Sequence, residues 1–183
     1  METWDAIRAR RNVRQYTDEQ IDRADLERIL EAGRRTPSAG NWQPWNFVVV
    51  TDRERLIELA TVWQGARHVA GSAATIAIVA ARPEDPRRGE LLQYDLGQAT
   101  ANIMLAATDL GIGTGHSAVG DQVAAQRIVG FPDGYFCAYM VALGYPGDRP
   151  LRPLNRPDRR PLEELVHWDR WSSEPPETAR QNV

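Results

Sequence analysis

The sequence predicts an α+β fold, and three observations lead to that class. Three apolar runs have the composition of buried strands, and they cover residues 46–51, 74–81 and 135–143. Segments with helical spacing lie between these runs, and helices and strands do not alternate strictly. The length of 183 residues is enough for one hydrophobic core. We therefore expect a single domain over residues 1–171, followed by a disordered or arm-like polar tail at 172–183.

Three helices are predicted from side chains that can accept a backbone N–H at a helix start. Thr3 can cap a first helix that runs through Arg10, and Asp22 can cap a second. Apolar residues of the second helix recur at helical spacing, and Gly33 is a typical end signal. Asp52 opens the third helix, directly after the first strand.

The longest predicted helix covers residues 90–110. It follows a loop at 82–89, in which proline and glycine act as breakers. The helix is rich in small residues, which let a neighbouring helix approach closely, so we place it at the centre of the fold. Gly111 ends it, Asp121 begins a further helix, and Pro161 starts a last short turn.

The charged residues exclude several classes of function. The 22 basic residues are all arginine, and the 25 acidic residues give a net charge of −3, so we expect no nucleic-acid-binding face. Without lysine the chain has no Schiff-base amine and no phosphate loop of the Walker type. The N-terminus has no apolar signal region, and no stretch reaches the roughly 18 apolar residues of a membrane span. We expect a cytoplasmic protein that does not contact membranes.

Cysteine and histidine give no sign of disulfide or metal chemistry. Cys137 is the only cysteine and lies in an apolar run, so it is predicted to be a small buried hydrophobic residue. The three histidines, His68, His116 and His167, lack the spacing of metal ligands. We expect no metal site.

Two patterns near the end of the long helix imitate known motifs. The run from Gly111 to Gly115 has the glycine spacing of a dinucleotide-binding loop, but it follows a predicted helix instead of a strand. The sequence from Gly115 resembles the nucleophile elbow of hydrolases only as far as Val119, where that motif needs glycine. We assign neither function, and no catalytic side chain.

Three arginines and one amide are concentrated in the five residues 10–14. We call residues 10–16, which include this cluster, the arginine segment. Arg10, Arg11 and Arg14 could converge on one phosphate, with Asn12 as an orienting donor. The same charges could instead form a solvated helix end that complements the helix dipole. The segment by itself leaves both interpretations open.

A second cluster, residues 37–45, combines flexible backbone, polar donors and two indoles, and we call it the indole loop. It could present amides to a flat polar ring while Trp42 and Trp45 supply apolar walls. It could also be a packed turn. A third cluster, residues 156–161, reads most simply as a solvated basic loop.

Taken together and in this order, the three clusters resemble the nitroreductase family of FMN-dependent oxidoreductases. RRNVRQY, which starts at Arg10, is similar to the family motif R-R-S-x-R-x-[FY], with Asn12 in place of the usual serine. PSAGNWQPW, in the indole loop, is similar to the motif P-S-x-x-N-x-Q-P-W. Weaker landmarks follow in the long helix, the third strand and the third cluster. The resemblance covers about residues 3–170.

The resemblance implies an intertwined homodimer with two FMN sites at the subunit interface. It also implies a mixed β-sheet flanked by helices around the long central helix. The phosphate and ribityl chain would be bound by Arg10, Arg11, Asn12 and Arg14. Contacts to the flavin of the other subunit would be made by Pro37, Ser38, Ala39, Asn41 and Gln43. The remaining flavin contacts would fall to Gln64 at the pyrimidine edge, to a loop of Thr114, Gly115, His116, Ser117 and Ala118 beside the ring, and to Arg159 and Arg160 at the phosphate.

The function implied is hydride transfer from NAD(P)H through FMN to a nitroaromatic, quinone or similar acceptor, in a ping-pong mechanism. Flavin carries this chemistry, so no protein acid or base is required. Two alternatives within this resemblance stay open: an FMN-binding protein with little turnover, and a relative with other flavin chemistry, such as dehalogenation or flavin destruction. A protein-interaction module with solvated basic clusters stays open as well.

Overall fold

The computed structural model describes residues 1–171. Its helices are α1 (Thr3–Ala9), α2 (Arg23–Arg34), α3 (Arg53–Leu59), α4 (Pro86–Asp109) and α5 (Gln122–Val129). Its strands are β1 (Trp45–Val50), β2 (Ala74–Ala81), β3 (Gly113–Ala118) and β4 (Tyr135–Gly144). Short 3₁₀ helices cover Ala39–Asn41, Gln64–Gly71 and Leu162–Glu164. The tail expected at 172–183 lies outside the described residues.

The chain divides into two compact units. The first is Met1–Pro153 and holds all the helices α1 to α5 and the strands β1 to β4. The second begins at Leu154 and, up to Trp171, contains the 3₁₀ helix Leu162–Glu164. The single domain expected over residues 1–171 stays a prediction.

The α+β class is confirmed by a four-stranded sheet with helices around it. The strand order is β1-β2-β4-β3, and each neighbouring pair is antiparallel. The sheet thus differs from the mixed sheet that the resemblance implied. Within residues 1–171, parallel pairing is confined to one isolated bridge, between Asn12 and Thr114 at the outer edge of β3.

The two faces of β2 belong to two separate parts of the hydrophobic core. Ile76 and Ile78 point to a cluster that includes the inner side of α4. Ala77 and Val79 point to the opposite cluster, to which α3, α5 and the 3₁₀ helix Gln64–Gly71 contribute. This alternation follows from the two-residue period of a strand. It makes β2 a central strand, buried on both sides.

The longest helix lies at the centre of the first cluster, as its small residues predict. Leu92, Leu96, Ala99 and Ile103 of α4 are fully buried. Gly33 of α2 was expected to end its helix, but it lies within α2 and against α4. A Cβ atom added at Gly33 would come within 2.9 Å of the Ile103 side chain, so glycine is needed here for close helix packing.

Of the four predicted helix caps, two are confirmed, one is right in position only, and one is wrong. The side chains of Asp52 and Asp121 accept the backbone N–H three residues further on, at 3.0 and 2.9 Å. Asp22 occupies the N-cap position of α2, but its side chain makes no capping hydrogen bond. Thr3 is already the first residue of α1 and does not cap it.

The long helix begins earlier than the sequence predicted. Asp85 caps α4 by accepting the Arg88 N–H at 2.8 Å, and Pro86 occupies the first helical turn. Proline is favoured at this position because its missing N–H would have no helical partner. The loop expected at 82–89 is therefore cut to its first four residues.

Residues 113–118 form a strand, where we expected a loop. The segment GTGHSA lacks the β-branched run that marks the other strands. Its extended conformation is fixed by antiparallel pairing with β4, in which Thr114 lies opposite Leu143 and His116 opposite Val141. Tertiary pairing therefore outweighs weak local propensity here.

Candidate functional site

The arginine segment lies along the outer edge of β3. The backbone N–H of Val13 donates to the carbonyl oxygen of Thr114 at 2.8 Å, beside the parallel bridge of Asn12 with Thr114. The Tyr16 hydroxyl donates to the Val13 carbonyl at 2.8 Å, and burial raises the pKa of that hydroxyl. Val13 is fully buried. The structure thus brings together two parts of the predicted site that are far apart in sequence.

Two glycines of β3 make this close approach possible. A Cβ atom at Gly113 would lie 2.7 Å from a methyl group of Val13. One at Gly115 would lie 2.5 Å from the Val13 carbonyl oxygen and 2.8 Å from Nε2 of His68. The Gly-Thr-Gly sequence therefore serves packing between chain segments.

His68 is a site residue that the sequence did not single out. It is 8% exposed, and its Nε2 lies 3.1 Å from the carbonyl oxygen of Gly115. Because a carbonyl only accepts hydrogen bonds, Nε2 must carry the proton of this bond. His68 thereby fixes the 3₁₀ helix Gln64–Gly71 against β3. Gln64 is the first, exposed residue of that helix.

Positive charge is concentrated around His116, an exposed residue of β3. Partial burial lowers the pKa of His116, and the charges of Arg10, Arg14 and His68 lower it further. Within residues 1–171, no carboxylate forms an ion pair with Arg10 or Arg14, whereas the neighbouring Arg8 and Arg11 both have such a partner. Two guanidinium groups that act on one imidazole without a counter-ion form a suitable environment for an anion.

A buried hydroxyl near the same place also lacks a partner. The Oγ1 atom of Thr114 is buried, and no described residue accepts from it or donates to it. Leaving such a group unpaired costs roughly 1–3 kcal/mol. A polar group of a bound molecule at this edge of β3 would remove that cost.

Arg11 has a partner within the protein, unlike Arg10 and Arg14. Its guanidinium donates to both carboxylate oxygens of Asp148, at 2.9 and 2.7 Å, and also to the carbonyl of Arg149. The hydrogen bond from Arg11 is the main cause that lowers the pKa of Asp148 to about 2. Arg11 thus connects the arginine segment to the chain that follows β4, and its expected contact with a phosphate stays a prediction.

The remaining residues of β3 are arranged around its backbone. The hydroxyl of Ser117 is directed to its own chain, because it donates to the carbonyl of Ala118 at 2.9 Å. Ser117 is buried, whereas His116 and Ala118 are exposed. The last three residues of β3 therefore present the side chains of His116 and Ala118 to solvent, and not that of Ser117.

The indole loop is attached to α4 and not to the arginine segment. The backbone N–H of Ala39 donates to the buried carboxylate of Asp95, at 3.3 and 3.1 Å from its two oxygens. The guanidinium of Arg88 lies 5.5 Å from the ring centre of Trp42. Within the described part of the chain, no hydrogen bond or ion pair joins residues 37–45 to residues 10–16.

The loop has an unusual backbone. Gly40, Asn41 and Gln43 all have positive φ, at 57°, 58° and 50°, and two of these residues are not glycine. The conformation is held by the Gln43 N–H, which donates to Ser38 Oγ at 2.9 Å, and by the Gln43 side chain, which donates to the Asn41 carbonyl at 3.1 Å. Pro37, Asn41 and Gln43 are exposed.

Arg159 and Arg160 lie in the second unit and are exposed. The Arg159 guanidinium donates to the carbonyl of Asp158, and Arg160 forms an ion pair with Glu164 at 3.1 Å. Their expected contact with a phosphate stays a prediction.

The sequence also raised the questions of the cysteine, of metal ligands and of membrane spans. Cys137 is fully buried, as predicted, and burial raises the pKa of its thiol to about 12. Among residues 1–171, no three His, Cys, Asp or Glu side chains are grouped so that they could hold a metal ion. No helix in the same range is long and apolar enough to cross a membrane.

Comparison with known proteins places these features in context. The family model described as "Nitroreductase family" matches residues 7–66 and 62–145. A protein of Archaeoglobus fulgidus, assigned by its name as an NADH dehydrogenase/NAD(P)H nitroreductase, is 34% identical over 173 residues, which cover 90% of this chain and 96% of that protein. The 5,6-dimethylbenzimidazole synthase of Rhodobacter capsulatus is 25% identical over 80% of this chain and 86% of its own.

The fold also has close structural neighbours. The structure described as an FMN-dependent nitroreductase from Clostridium difficile superposes with a TM-score of 0.79 at 23% identity. The match covers 91% of this chain and 98% of that one. At this level of identity, the likeness shows that the two proteins share a fold.

Proposed function

This chain belongs to the nitroreductase family and is an oxidoreductase, and we propose that it uses NAD(P)H to reduce a nitroaromatic, quinone or similar acceptor through FMN. We further propose that FMN is held between two copies of the chain. The observation that carries this proposal is the unpaired positive charge of Arg10 and Arg14 beside β3. FMN is an anion through its phosphate, and these two guanidinium groups can bind it with their planar forks.

The described residues fit the phosphate end of FMN in three respects. Arg10 and Arg14 have no carboxylate partner in residues 1–171, so binding would not require an ion pair to break. Asn12 is exposed, next to the backbone bridge with Thr114, and can orient a phosphate or ribityl oxygen. The Thr114 hydroxyl lacks a hydrogen-bond partner and could find one on the ligand.

The protein's part in the reaction is to bind and orient. When bound, FMN would supply the redox chemistry, by taking hydride from NAD(P)H and delivering it to the acceptor. Gly115 and His68 fix the position of β3, and Arg11 fixes the arginine segment through Asp148. Donor and acceptor would occupy the same place in turn. We assign no general acid or base to this chain.

The homodimer is supported by an exposed apolar stripe on α4. Leu91 and Tyr94 are 41% and 69% exposed, and Gly97 and Ala101 continue the stripe at helical spacing. Exposed apolar stripes of this kind favour association with another chain. Within the described part of one chain, no hydrogen bond or ion pair joins the indole loop to the arginine segment, which is the arrangement expected if each FMN contacts the indole loop of the other subunit.

The decisive experiment is the visible spectrum of the purified protein, followed by titration with FMN. We expect a yellow protein, or one that becomes yellow with FMN at close to one flavin per chain. A colourless protein that does not bind FMN would exclude the proposal and favour an interaction module. Bound FMN that NADH and NADPH do not reduce would favour a flavin-binding protein with little turnover.

One comparison favours a second candidate function. The relative in Rhodobacter capsulatus is named for the synthesis of 5,6-dimethylbenzimidazole, so a similar chain carries a different activity. Destruction of the flavin is one of the other activities that the resemblance left open. If this chain carries it out, the flavin absorbance will fall irreversibly during turnover in air. If it is a reductase, the absorbance will return when the reductant is exhausted.

A further inference from the structure

We propose that Asp95 is a positioning residue, which holds the indole loop in the conformation that faces FMN. This role rests on the proposed function, because it concerns the flavin of that site. Asp95 lies on α4 and is 1% exposed. Its two carboxylate oxygens lie 3.3 and 3.1 Å from the backbone nitrogen of Ala39, and the Gln98 side chain lies 3.5 Å from one of them.

A carboxylate is an expensive residue at this position of α4. One turn away, Leu92 and Ala99 are fully buried and belong to the hydrophobic core. Asp95 forms no ion pair with an arginine in the described part of the chain, so hydrogen bonds must offset its desolvation. An apolar residue at this position would be buried without that desolvation penalty. The carboxylate therefore serves a contact that an apolar residue could not make, and that contact is the Ala39 N–H.

The part of the indole loop that follows Ala39 needs contacts from outside the loop to hold its backbone conformation. Asn41 and Gln43 have φ values of 58° and 50°, which side chains other than glycine rarely adopt. Such conformations persist when their surroundings hold them, and they are common at functional sites. The bonds from Gln43 to Ser38 and Asn41 lie within the loop. Among the described residues, the hydrogen bond to Asp95 is the one that joins the loop to the buried face of a helix.

The role predicts a distinct effect on flavin binding. The resemblance assigns the phosphate to the arginine segment and other parts of FMN to the indole loop. A displaced indole loop should therefore weaken the binding of FMN and of riboflavin by the same factor, because the two ligands differ only by the phosphate. The loss of an arginine from the arginine segment should weaken the binding of FMN more than that of riboflavin.

The test compares Asp95→Ala and Asp95→Asn with Asp109→Asn in the full chain. Asp109 is on the same helix, but it pairs with Arg28 and the N-terminal amine, so it is a matched control. The first measurement is amide hydrogen exchange at Ala39 and Gln43 without flavin. The second is the Kd of FMN and of riboflavin. Thermal unfolding of each variant shows whether it is folded.

We expect Asp95→Ala to speed exchange at Ala39 by about 10- to 100-fold, the range for a lost hydrogen bond to a charged group. We expect it to raise both flavin Kd values by one common factor of about ten or more. Asp95→Asn keeps an accepting oxygen and should restore part of both effects, and Asp109→Asn should match the unaltered protein.

Unchanged exchange at Ala39, or unchanged Kd values with faster exchange, would overturn the role of Asp95. If the unaltered protein binds neither flavin, the proposed function itself fails, and the role of Asp95 toward flavin fails with it. Should Asp95→Ala not fold, Ala39→Pro removes the same hydrogen bond from the donor side, and the flavin Kd values of that variant decide. Proline fits there because Ser38 before it is already extended, with φ −144° and ψ 156°.

Discussion

The backbone N–H of Val13 and the carbonyl oxygen of Thr114 are 2.8 Å apart, and this bond makes the arginine segment an extension of the sheet. The segment is thereby held against a strand rather than free in solvent. Gly113 and Gly115 leave the space that this arrangement needs. The position of Arg10 and Arg14, which have no ion-pair partner in residues 1–171, therefore depends on glycines in another part of the chain.

Gly115→Ala should destabilise the protein, because the added methyl group would overlap the Val13 carbonyl oxygen and the His68 ring. We expect a loss of about 1–3 kcal/mol in the free energy of unfolding, measured with urea. Gly71→Ala is the matched control, since no atom from elsewhere in the described chain lies within 4 Å of its added Cβ; its effect should stay within about 0.5 kcal/mol. Equal effects of the two substitutions would refute the close contact.

Arg14→Ala should weaken the binding of FMN more than that of riboflavin, because only FMN carries the phosphate. The loss of a charge-assisted hydrogen bond corresponds to roughly a tenfold to hundredfold increase in the Kd of FMN. Fluorescence titration with both ligands measures it. Arg23→Ala serves as control, since Arg23 pairs with Glu27 on the surface of α2. If the Kd values of FMN and riboflavin rise by the same factor, Arg14 acts through folding.

His116 should titrate below the usual histidine pKa of about 6.5, because partial burial and the nearby arginines lower its pKa. In the unfolded chain the imidazole takes up its proton at higher pH than in the folded one. Stability should therefore fall as the pH drops below about 6.5, and less so in His116→Gln. FMN should raise the pKa of His116, because the phosphate offsets the charges of Arg10 and Arg14. NMR titration measures the pKa of His116 without and with FMN. A pKa above 6.5 without ligand would contradict the expected lowering.

Ala101→Arg should separate the proposed dimer, because it places a charge on the exposed stripe of α4. Sedimentation should show monomers, and FMN binding should be lost with the dimer. Glu54→Arg on α3, which packs on the opposite face of the sheet, should change neither. A protein that is monomeric and fully loaded with FMN would rule out an interface site.

Steady-state kinetics should give parallel lines when NAD(P)H and acceptor are both varied, because the two would bind in turn at one place. Stopped-flow reduction of His116→Ala, with FMN occupancy confirmed, should remain close to that of the unaltered protein. Geometry matters more than a protein base in such a transfer. A loss of about 10²-fold or more would mean that His116 acts as an acid or base.

The parts of the fold with strong local signals could be predicted from the sequence. Asp52 and Asp121 cap the helices that they were expected to cap, and the range 74–81 is observed unchanged as β2. Asp85 was missed because Pro86 and the following glycine were read as loop signals. In the first turn of a helix, however, proline marks the start of the helix. The structure shows that Pro86 has this role, because Asp85 caps α4.

The parts that depend on distant contacts could not be predicted in the same way. β3 is a strand because β4 pairs with it, and Thr114 is the one residue of GTGHSA with a local preference for that conformation. Arg11 has the same chemistry as Arg10 and Arg14, and only the fold shows that Asp148 is its partner. Asp95 did leave a signal, since it is a lone carboxylate among the buried positions of α4.

The bond between Arg11 and Asp148 spans 137 positions of the chain, and this has a consequence for biosynthesis. The arginine segment leaves the ribosome before β3 and Asp148 have been made. Closing so long a loop precedes the gain from its contacts and slows folding. The arginine segment therefore reaches its final position only after β3 and Asp148 have been made, and the proposed FMN site can form no earlier.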